Sequence, residues 1–516
     1  MNHLIDAIQL AFMPVHLLTI VISTFFGLIV GIIPGLTATM SVALLTGLTF
    51  GFPREIAVIS LIGVYVGALS GGCQAAVLLK IPGTPASAAT ILDAWPMNLQ
   101  GKAGLAIFLA TAASAIGTII SVFFVIFLTP PLTALGMEFL SFEFFLLALF
   151  GIVICGNLSG GDSLKGWIAG FLGLGISTIG LDTIIAYPRF SFDNINLRAG
   201  LQLIPLMIAI FGMPEVLKVF GKATEQRVDE VKFKIKEGFS VLRKNWRCAG
   251  RSGLIGTFIG IIPGVGEDIG GWLSYWASKA RSKNPENYGK GEPAGVVAVE
   301  AGANACIGGA LIPVLSLGVP GSTSAAVILA AFVMHGYRPG PLLMTETPEL
   351  VYQIAIFLLL CSISMFLIAR LITKFSVKIL EVKKEILMPI VFIFCVLGSF
   401  LVRGSYFDAQ LIVGAGIVGY LLYYAKFPPA PLLLGLVLGR MAESNMLRGL
   451  LLSGGSFMPI FQRPIATGFF IIIVILIATQ IPICKSMFAA VMGKFKKAIP
   501  ICKSMFAAVM GKFKKS

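Results

Sequence analysis

Charge is what this chain has least of. Only 12% of its 516 residues are Asp, Glu, Lys or Arg, and histidine appears three times. The eight cysteines (Cys73, Cys155, Cys248, Cys306, Cys361, Cys395, Cys484, Cys502) form no Cys-x-x-Cys pair and have no histidine cluster beside them. Neither a disulfide framework nor a metal site is indicated. No G-x-x-x-x-G-K-[ST] stretch occurs, so the chain does not itself cradle ATP phosphates, and energy for uphill work must come from an ion gradient or another subunit. The opening MNHLIDAIQLAFMPVH lacks a basic n-region and a small-residue cleavage site. It reads as the approach to a retained first span, not as a removable signal peptide.

What is abundant is apolar sequence: 57% of residues are hydrophobic and the mean hydropathy is +0.93. That excludes a soluble domain and predicts an all-α polytopic membrane protein of about ten to twelve transmembrane helices at roughly 20 residues per crossing. Clear spans are His16 to Ile33, Ala106 to Leu128, Phe142 to Cys155, Leu350 to Ile372, Ile386 to Val402 and Phe469 to Ile481. The net charge of +15 does not imply nucleic acid, because the bases lie in loops beside apolar runs. Residues 218–251 hold ten bases against four acids and read as a cytoplasmic linker.

The chain repeats itself. GLIVGIIPG from Gly27 aligns with GTFIGIIPG from Gly256, and GGCQAAVLLKIPGTPASAA from Gly71 aligns with GGALIPVLSLGVPGSTSAA from Gly308. The Pro-Gly pairs are 48 residues apart in the first half (Pro34, Pro82) and 57 in the second (Pro263, Pro320). Two homologous halves are expected, at residues 1–217 and 252–480, joined by the linker. Residues 481–516 form a basic tail in which IPICKSMFAAVMGKFKK occurs twice without change; it suits a lipid surface or reflects a recent tandem copy, and no chemistry is assigned to it.

Four Pro-Gly breaks in apolar helices are costly: about 1 kcal/mol per glycine and about 3 per proline relative to alanine. Unpaired backbone is tolerated at membrane depth only inside protein or against a wet cavity, and paired broken helices in two halves point to a transport site. Candidate substrate-binding residues are therefore Gly35, Thr37, Pro82, Gly83, Thr84, Ser87, Gly264, Gly266, Gly321, Ser322, Thr323 and Ser324. The hydroxyls either cap the new helices or touch a ligand. Lys80 either pairs with an anionic substrate or snorkels. Glu267 and Asp268 either cap a half-helix or ligate a cation. Glu300 and Asn304, one turn apart, either join helices or meet substrate, and Asn304 is kept with Glu267 and Asp268 as a cation-coupling candidate. His335, in a turn-rich segment, reads as structural. Gly83→Val and Gly321→Val are expected to abolish transport with expression intact.

With GIIPGLTATM, GVYVGALSGG, LLKIPGTPASAATILDAWPM, SYWASKARSKNPENYGKGEPAGV and GGALIPVLSLGVPGSTSAAVILAAFVMHGYRPGPLL in order, the chain resembles the large membrane subunit of the tripartite tricarboxylate transporter family, the TctA-like proteins. The resemblance implies a multi-pass subunit of the bacterial inner membrane that takes up a carboxylate. It also implies a small membrane subunit and a periplasmic solute-binding protein as partners, with an ion gradient, Na⁺ or H⁺, as the energy source. No other cofactor and no enzyme activity are expected. Lys80 and the alanine in GANA from Gly302 depart from the family pattern. Two other classes compete: a passive anion channel, and an intramembrane aspartyl hydrolase built on GVGED. The hydrolase needs a second membrane-buried aspartate, and Asp93, Asp182 and Asp408 all look close to loops.

Overall fold

Long apolar runs must close their own backbone hydrogen bonds in lipid, and helix is the state that does so within one segment. The computed structural model describes residues 2–33, 35–158, 162–182, 184–218, 235–380 and 384–480. Pro34, residues 219–234 of the linker and the whole duplicated tail lie outside the described residues. The protein is an all-α polytopic membrane protein, with 22 helices and one two-stranded ladder among the described residues. Among the described residues, seven helices are long and apolar enough to cross a bilayer, and five shorter apolar ones have 10–17 residues. Two of the shorter ones, Ala38–Leu48 and Thr323–Met334, are half-helices that start just past a Pro-Gly break, and the count of long crossings falls below the expected ten to twelve.

The first half contains α1 (Asn2–Ala11), α2 (Pro14–Ile32), α3 (Ala38–Leu48), α4 (Arg54–Leu79), a 3-10 turn (Pro85–Ala88), α5 (Ile91–Leu99) and α6 (Ala103–Met137). It continues through α7 (Ser141–Leu158), α8 (Ser163–Ser177), α9 (Ile195–Arg198) and α10 (Leu203–Lys218). Next come α11 (Ile235–Lys244), α12 (Trp246–Ile261), α13 (Gly266–Ala280), α14 (Pro293–Leu317), α15 (Thr323–Met334), α16 (Leu343–Glu346) and α17 (Glu349–Leu380). The chain closes with α18 (Lys384–Arg403), α19 (Tyr406–Tyr424), α20 (Pro429–Leu452), α21 (Pro459–Gln462) and α22 (Pro464–Ala478). The stretch expected as a linker thus carries α11 and the first residues of α12.

Small residues set the central packing, as they do where lipid supplies no hydrophobic drive between helices. Gly27 abuts Val64 and Gly31 abuts Ala68, so closely that a Cβ on Gly31 would stand 2.8 Å from Ala68 Cα. Both numbers rise together, so α2 and α4 run parallel. In the same way Gly256 meets Gly302 and Gly260 meets Cys306, so α12 and α14 run parallel. Between the halves the sense reverses. Ser70 donates to Asn304 Oδ1 at 2.8 Å, whereas Tyr65, earlier on α4, reaches Ser322, whose neighbour Gly321 lies on Ala310. Helices α4 and α14 are therefore antiparallel. They are also the core: the most apolar windows of α4 and α14 are 94% and 100% buried, against 50% for α2 and 56% for α6 and α17, which turn the rest outward.

The half-helices follow from the same contacts. Residues Gly270 against Cys306 and Ser274 against Gly302 run α13 back along α14, so α12 and α13 form a hairpin. Helix α15 accompanies α14, with Gly321 on Ala310 and Gly340 on Leu315. Helix α3 accompanies α15, with Thr39 on Thr323 and Thr49 on His335, and so returns against α2. Two hairpins, α2–α3 and α12–α13, thus enter from opposite directions and bring their tips together.

One carboxylate ties the first half to the second. Buried Asp93, on α5, accepts through one oxygen from the backbone N–H groups of Gly289 (2.8 Å), Gly291 (3.0 Å) and Glu292 (2.9 Å). Gly289 (φ +89°) and Gly291 (φ +100°) take left-handed conformations that let these donors point one way.

Candidate functional site

Each break is a change of backbone direction that frees a helix end. At the α2–α3 tip Gly35 is left-handed (φ +102°), and Thr37 caps α3 by accepting from Met40 N–H at 3.2 Å. At the α12–α13 tip Gly264 (φ +79°) and Gly266 (φ +64°) make the turn, and Glu267 and Asp268 fall in the first turn of α13. After α4, Gly83 N–H donates to Gly72 carbonyl at 3.3 Å; after α14, Gly321 N–H donates to Ala310 carbonyl at 3.4 Å. Ser322 then caps α15 through Ala325 N–H, 3.1 Å away.

The four breaks meet. Thr39 is bonded to Thr323 (2.9 Å) and Ser324 (3.0 Å). Ser324 donates to Glu267 Oε1 at 2.8 Å, and the Tyr65 hydroxyl donates to Glu267 Oε2 at 3.2 Å. Beside this network lies a cavity of about 480 Å³, walled by Thr37, Thr39, Thr84, Asp268, Trp272 and Thr323 and floored by apolar residues of α7, α10, α19 and α20. Asp268 is exposed and turned into that space, whereas Glu267 is buried at its edge. The N-termini of α3, α13 and α15 all open there. The described lining contains two carboxylates and no lysine, arginine or histidine.

Of the residues expected from sequence, Thr37, Thr84, Gly264, Glu267, Asp268 and Thr323 line the cavity. Ser322 and Ser324 stand behind it in the hydrogen-bond network, and Ser87 supports Thr84 at 3.1 Å. Gly35, Pro82 and Gly266 shape the turns without lining the space. Gly83 and Gly321 have packing roles: a Cβ on Gly83 would stand 2.6 Å from Gly72 Cα, and one on Gly321 2.7 Å from Ala310 Cα. The valine substitutions at these sites therefore disrupt backbone contacts, so intact expression is not expected of them. Lys80 ends α4 in a left-handed conformation (φ +57°) and is exposed outside the cavity. Tyr65 and Trp272 were missed; the signal for Tyr65 was the one aromatic hydroxyl in the apolar, small-residue run GVYVGALSGG.

Asn304 does not reach the cavity. It belongs to a second buried group, in which Glu300 Oε1 accepts from Thr90 (2.5 Å) and Oε2 from Ser114 (3.0 Å) and Asn304 Nδ2 (3.4 Å). Asn304 Nδ2 also donates to Ser114 Oγ at 2.8 Å and to the Glu300 carbonyl at 3.0 Å. The turn spacing of Glu300 and Asn304 does put them on one face, as expected. No second aspartate joins Asp268 at the described cavity lining: Asp93 holds the 289–292 loop, Asp182 sits in a turn beside the ladder, and Asp408 is in the first turn of α19.

Residues 17–434 match the family model described as "Tripartite tricarboxylate transporter TctA family". An uncharacterized 52.8 kDa protein in the TAR-I ttuC' 3' region of Agrobacterium vitis is 30% identical over 462 residues, covering 89% of this chain and 91% of that one. An uncharacterized protein in the TAR-II ttuC' 3' region of the same organism is 33% identical over 211 residues, 41% of this chain and 87% of that one. No solved structure matches the chain.

Proposed function

The chain belongs to the tripartite tricarboxylate transporter TctA family, and we propose that it is the large membrane subunit of a secondary transporter that imports an organic carboxylate together with cations. The observation that carries this reading is the cavity at the four breaks. Three helix N-termini, on α3, α13 and α15, offer partial positive charge worth roughly 0.3–1 kcal/mol each to an anion. Thr37, Thr39, Thr84 and Thr323 offer hydroxyls. Against this stand Glu267 and Asp268, with no base at the lining. A multiply charged anion beside two carboxylates in a low-dielectric site needs neutralising charge, and helix ends alone do not supply it. Its passenger is a cation: Asp268, aimed into the space, takes it, with Glu267 fixing the tip behind. A passive anion pathway would be expected to carry bases here instead.

The halves at residues 1–217 and 252–480 act as an inverted repeat. Supporting this are the matched parallel pairs α2/α4 and α12/α14, the Gly83 and Gly321 bonds to Gly72 and Ala310, and the antiparallel crossing of α4 on α14. The hairpin tips then face a site reachable in turn from either side of a bacterial inner membrane. The basic segment 218–251 lies on the cytoplasmic side. A small membrane subunit and a periplasmic solute-binding protein complete the assembly, as the family description "tripartite" suggests.

The test is uptake of labelled mono-, di- and tricarboxylates by cells carrying this chain with its candidate small subunit and binding protein, with and without an inward Na⁺ or H⁺ gradient. Accumulation requiring all three proteins and a gradient is expected. Equal flux without the gradient, or none with the proteins assembled, overturns the reading.

A further inference from the structure

The Glu300 group is separate from the cavity and has a different chemistry. Helices α4, α6 and α14 and the start of α5 contribute Ser70, Ser114, Glu300, Asn304 and Thr90, all buried. Every bond to the Glu300 carboxylate comes from a neutral donor. No lysine, arginine or histidine among the described residues bonds to it. A permanent charge at this depth without a counter-charge is disfavoured, yet a neutral acid here serves no packing need that glutamine would not.

We propose that Glu300 is a proton-carrying site of this transporter, binding H⁺ in step with the transport cycle and separate from the cation at Asp268. The inference rests on the secondary-transport reading. Two features favour a proton over a metal ion. Asn304 presents its Nδ2 donor to the carboxylate, where a metal ion needs a lone pair. That orientation is fixed because Nδ2 also donates to the Glu300 carbonyl while Oδ1 accepts from Ser70. The hydroxyls of Thr90 and Ser114, by contrast, serve both protonation states: each donates to a carboxylate, and by rotation either accepts from the acid. The group is thus satisfied with or without the proton.

The connection to the substrate cavity runs through Thr90. It follows the 3-10 turn Pro85–Ala88, and that segment carries Thr84 and Pro85 on the cavity wall. Protonation converts Thr90 from a donor to a charge into a partner of a neutral acid. This loosens the grip on the wall segment. The other titratable groups facing Glu300 are few. Cys73 on α4 is close enough to feel its charge. Asp93, three residues beyond Thr90, is spent on the 289–292 loop, with Tyr275 of α13 beside it. Helix α6 presents the hydroxyls of Ser114 and Thr118.

Infrared difference spectroscopy of the purified full-length protein during a pH titration tests this without any substrate. A protonated-carboxyl band that titrates in the wild type should be missing in Glu300→Gln and retained in Asp268→Asn. In cells, Glu300→Gln should lower accumulation of whichever labelled carboxylate the wild type takes up under an inward pH gradient at least tenfold, while leaving exchange of internal for external substrate intact. Should Glu300→Gln not fold, Thr90→Val, which removes one switching partner, should displace the midpoint of the band by a tenfold change in proton affinity. A band unchanged in Glu300→Gln, a midpoint unchanged in Thr90→Val, or full gradient-driven accumulation by Glu300→Gln overturns the proposal. A wild type that moves no carboxylate but shows the titrating Glu300 band would instead count against the transport reading.

Discussion

Replacing Gly321 by alanine adds one methyl group where there is no room for it. The new Cβ would collide with the Gly260 carbonyl oxygen and stand 2.7 Å from Ala310 Cα, and Cβ atoms essentially never approach neighbours within 3.0 Å. Both obstacles are backbone on helices already locked together, α12 at Gly256 and Gly260 and α14 at Gly309, so neither can rotate away. Overpacking of this kind costs about 1–3 kcal/mol, and the Gly321 N–H bond to Ala310, 3.4 Å long, contributes roughly another 0.5–1.5 kcal/mol if broken. The expected total is about 1.5–4.5 kcal/mol. Gly414 is the control: it lies in α19 with nothing within 4 Å of its ideal Cβ, and alanine there gains up to about 1 kcal/mol of helix propensity. Thermal melts of detergent-purified protein, followed by loss of the monodisperse chromatographic peak, should show a clear drop for Gly321→Ala and none for Gly414→Ala. A wild-type midpoint for Gly321→Ala would refute the argument that this break is held by backbone contact.

Gly83→Ala, whose Cβ meets Gly31 and Gly72, should lower the same midpoint by a similar amount. Asp268→Asn should raise the Na⁺ concentration for half-maximal uptake at least tenfold with little change in melting; an unchanged cation dependence would remove Asp268 from the site. Asp93→Ala leaves three inward-facing backbone donors unpaired, for roughly 3–5 kcal/mol, and limited proteolysis should find the 284–292 loop newly cleavable. Asp182 is held below the usual carboxylate range, first by the backbone N–H groups of Ile185 and Ile184 and then by Arg189. Its unfolded form binds the proton more readily, so its stabilisation is present above about pH 3.9 and is lost as pH falls through the folded value. Wild type and Asp182→Asn should therefore differ in melting at neutral pH and converge in acid.

Much of this architecture could be read from residue order alone, because the signals were local. Apolar length predicts crossing helices, and Pro-Gly in such a run predicts a break whatever packs around it. The hydroxyls after three of the breaks read as caps or ligand contacts; Thr37 and Ser322 are caps, and Thr84 makes no cap bond but lines the cavity. What stayed illegible depends on contacts between distant residues. Gly83 and Gly321 read as ligand-facing because a glycine against backbone and a glycine against a cavity look identical in sequence. Asn304 was grouped with Glu267 and Asp268 on the strength of polarity in an apolar run, yet α14 turns it toward α4 and α6. Lys80 sits next to a break but on its outer side, and only the left-handed turn at its own position reveals that.

The Asp93 tie has a consequence for how the chain is made. Its three backbone partners lie 196, 198 and 199 residues later. Until that loop emerges during synthesis, the Asp93 oxygen has to keep water or a transient partner, and α5, already packed on α4 and α6 through Ala94 and Met97, is open on the side that the loop and α14 later cover. The first half therefore waits, inserted but unsealed, for the second. Cutting the gene at the linker should yield an N-terminal piece that is degraded alone and rescued when the missing half is supplied alongside it.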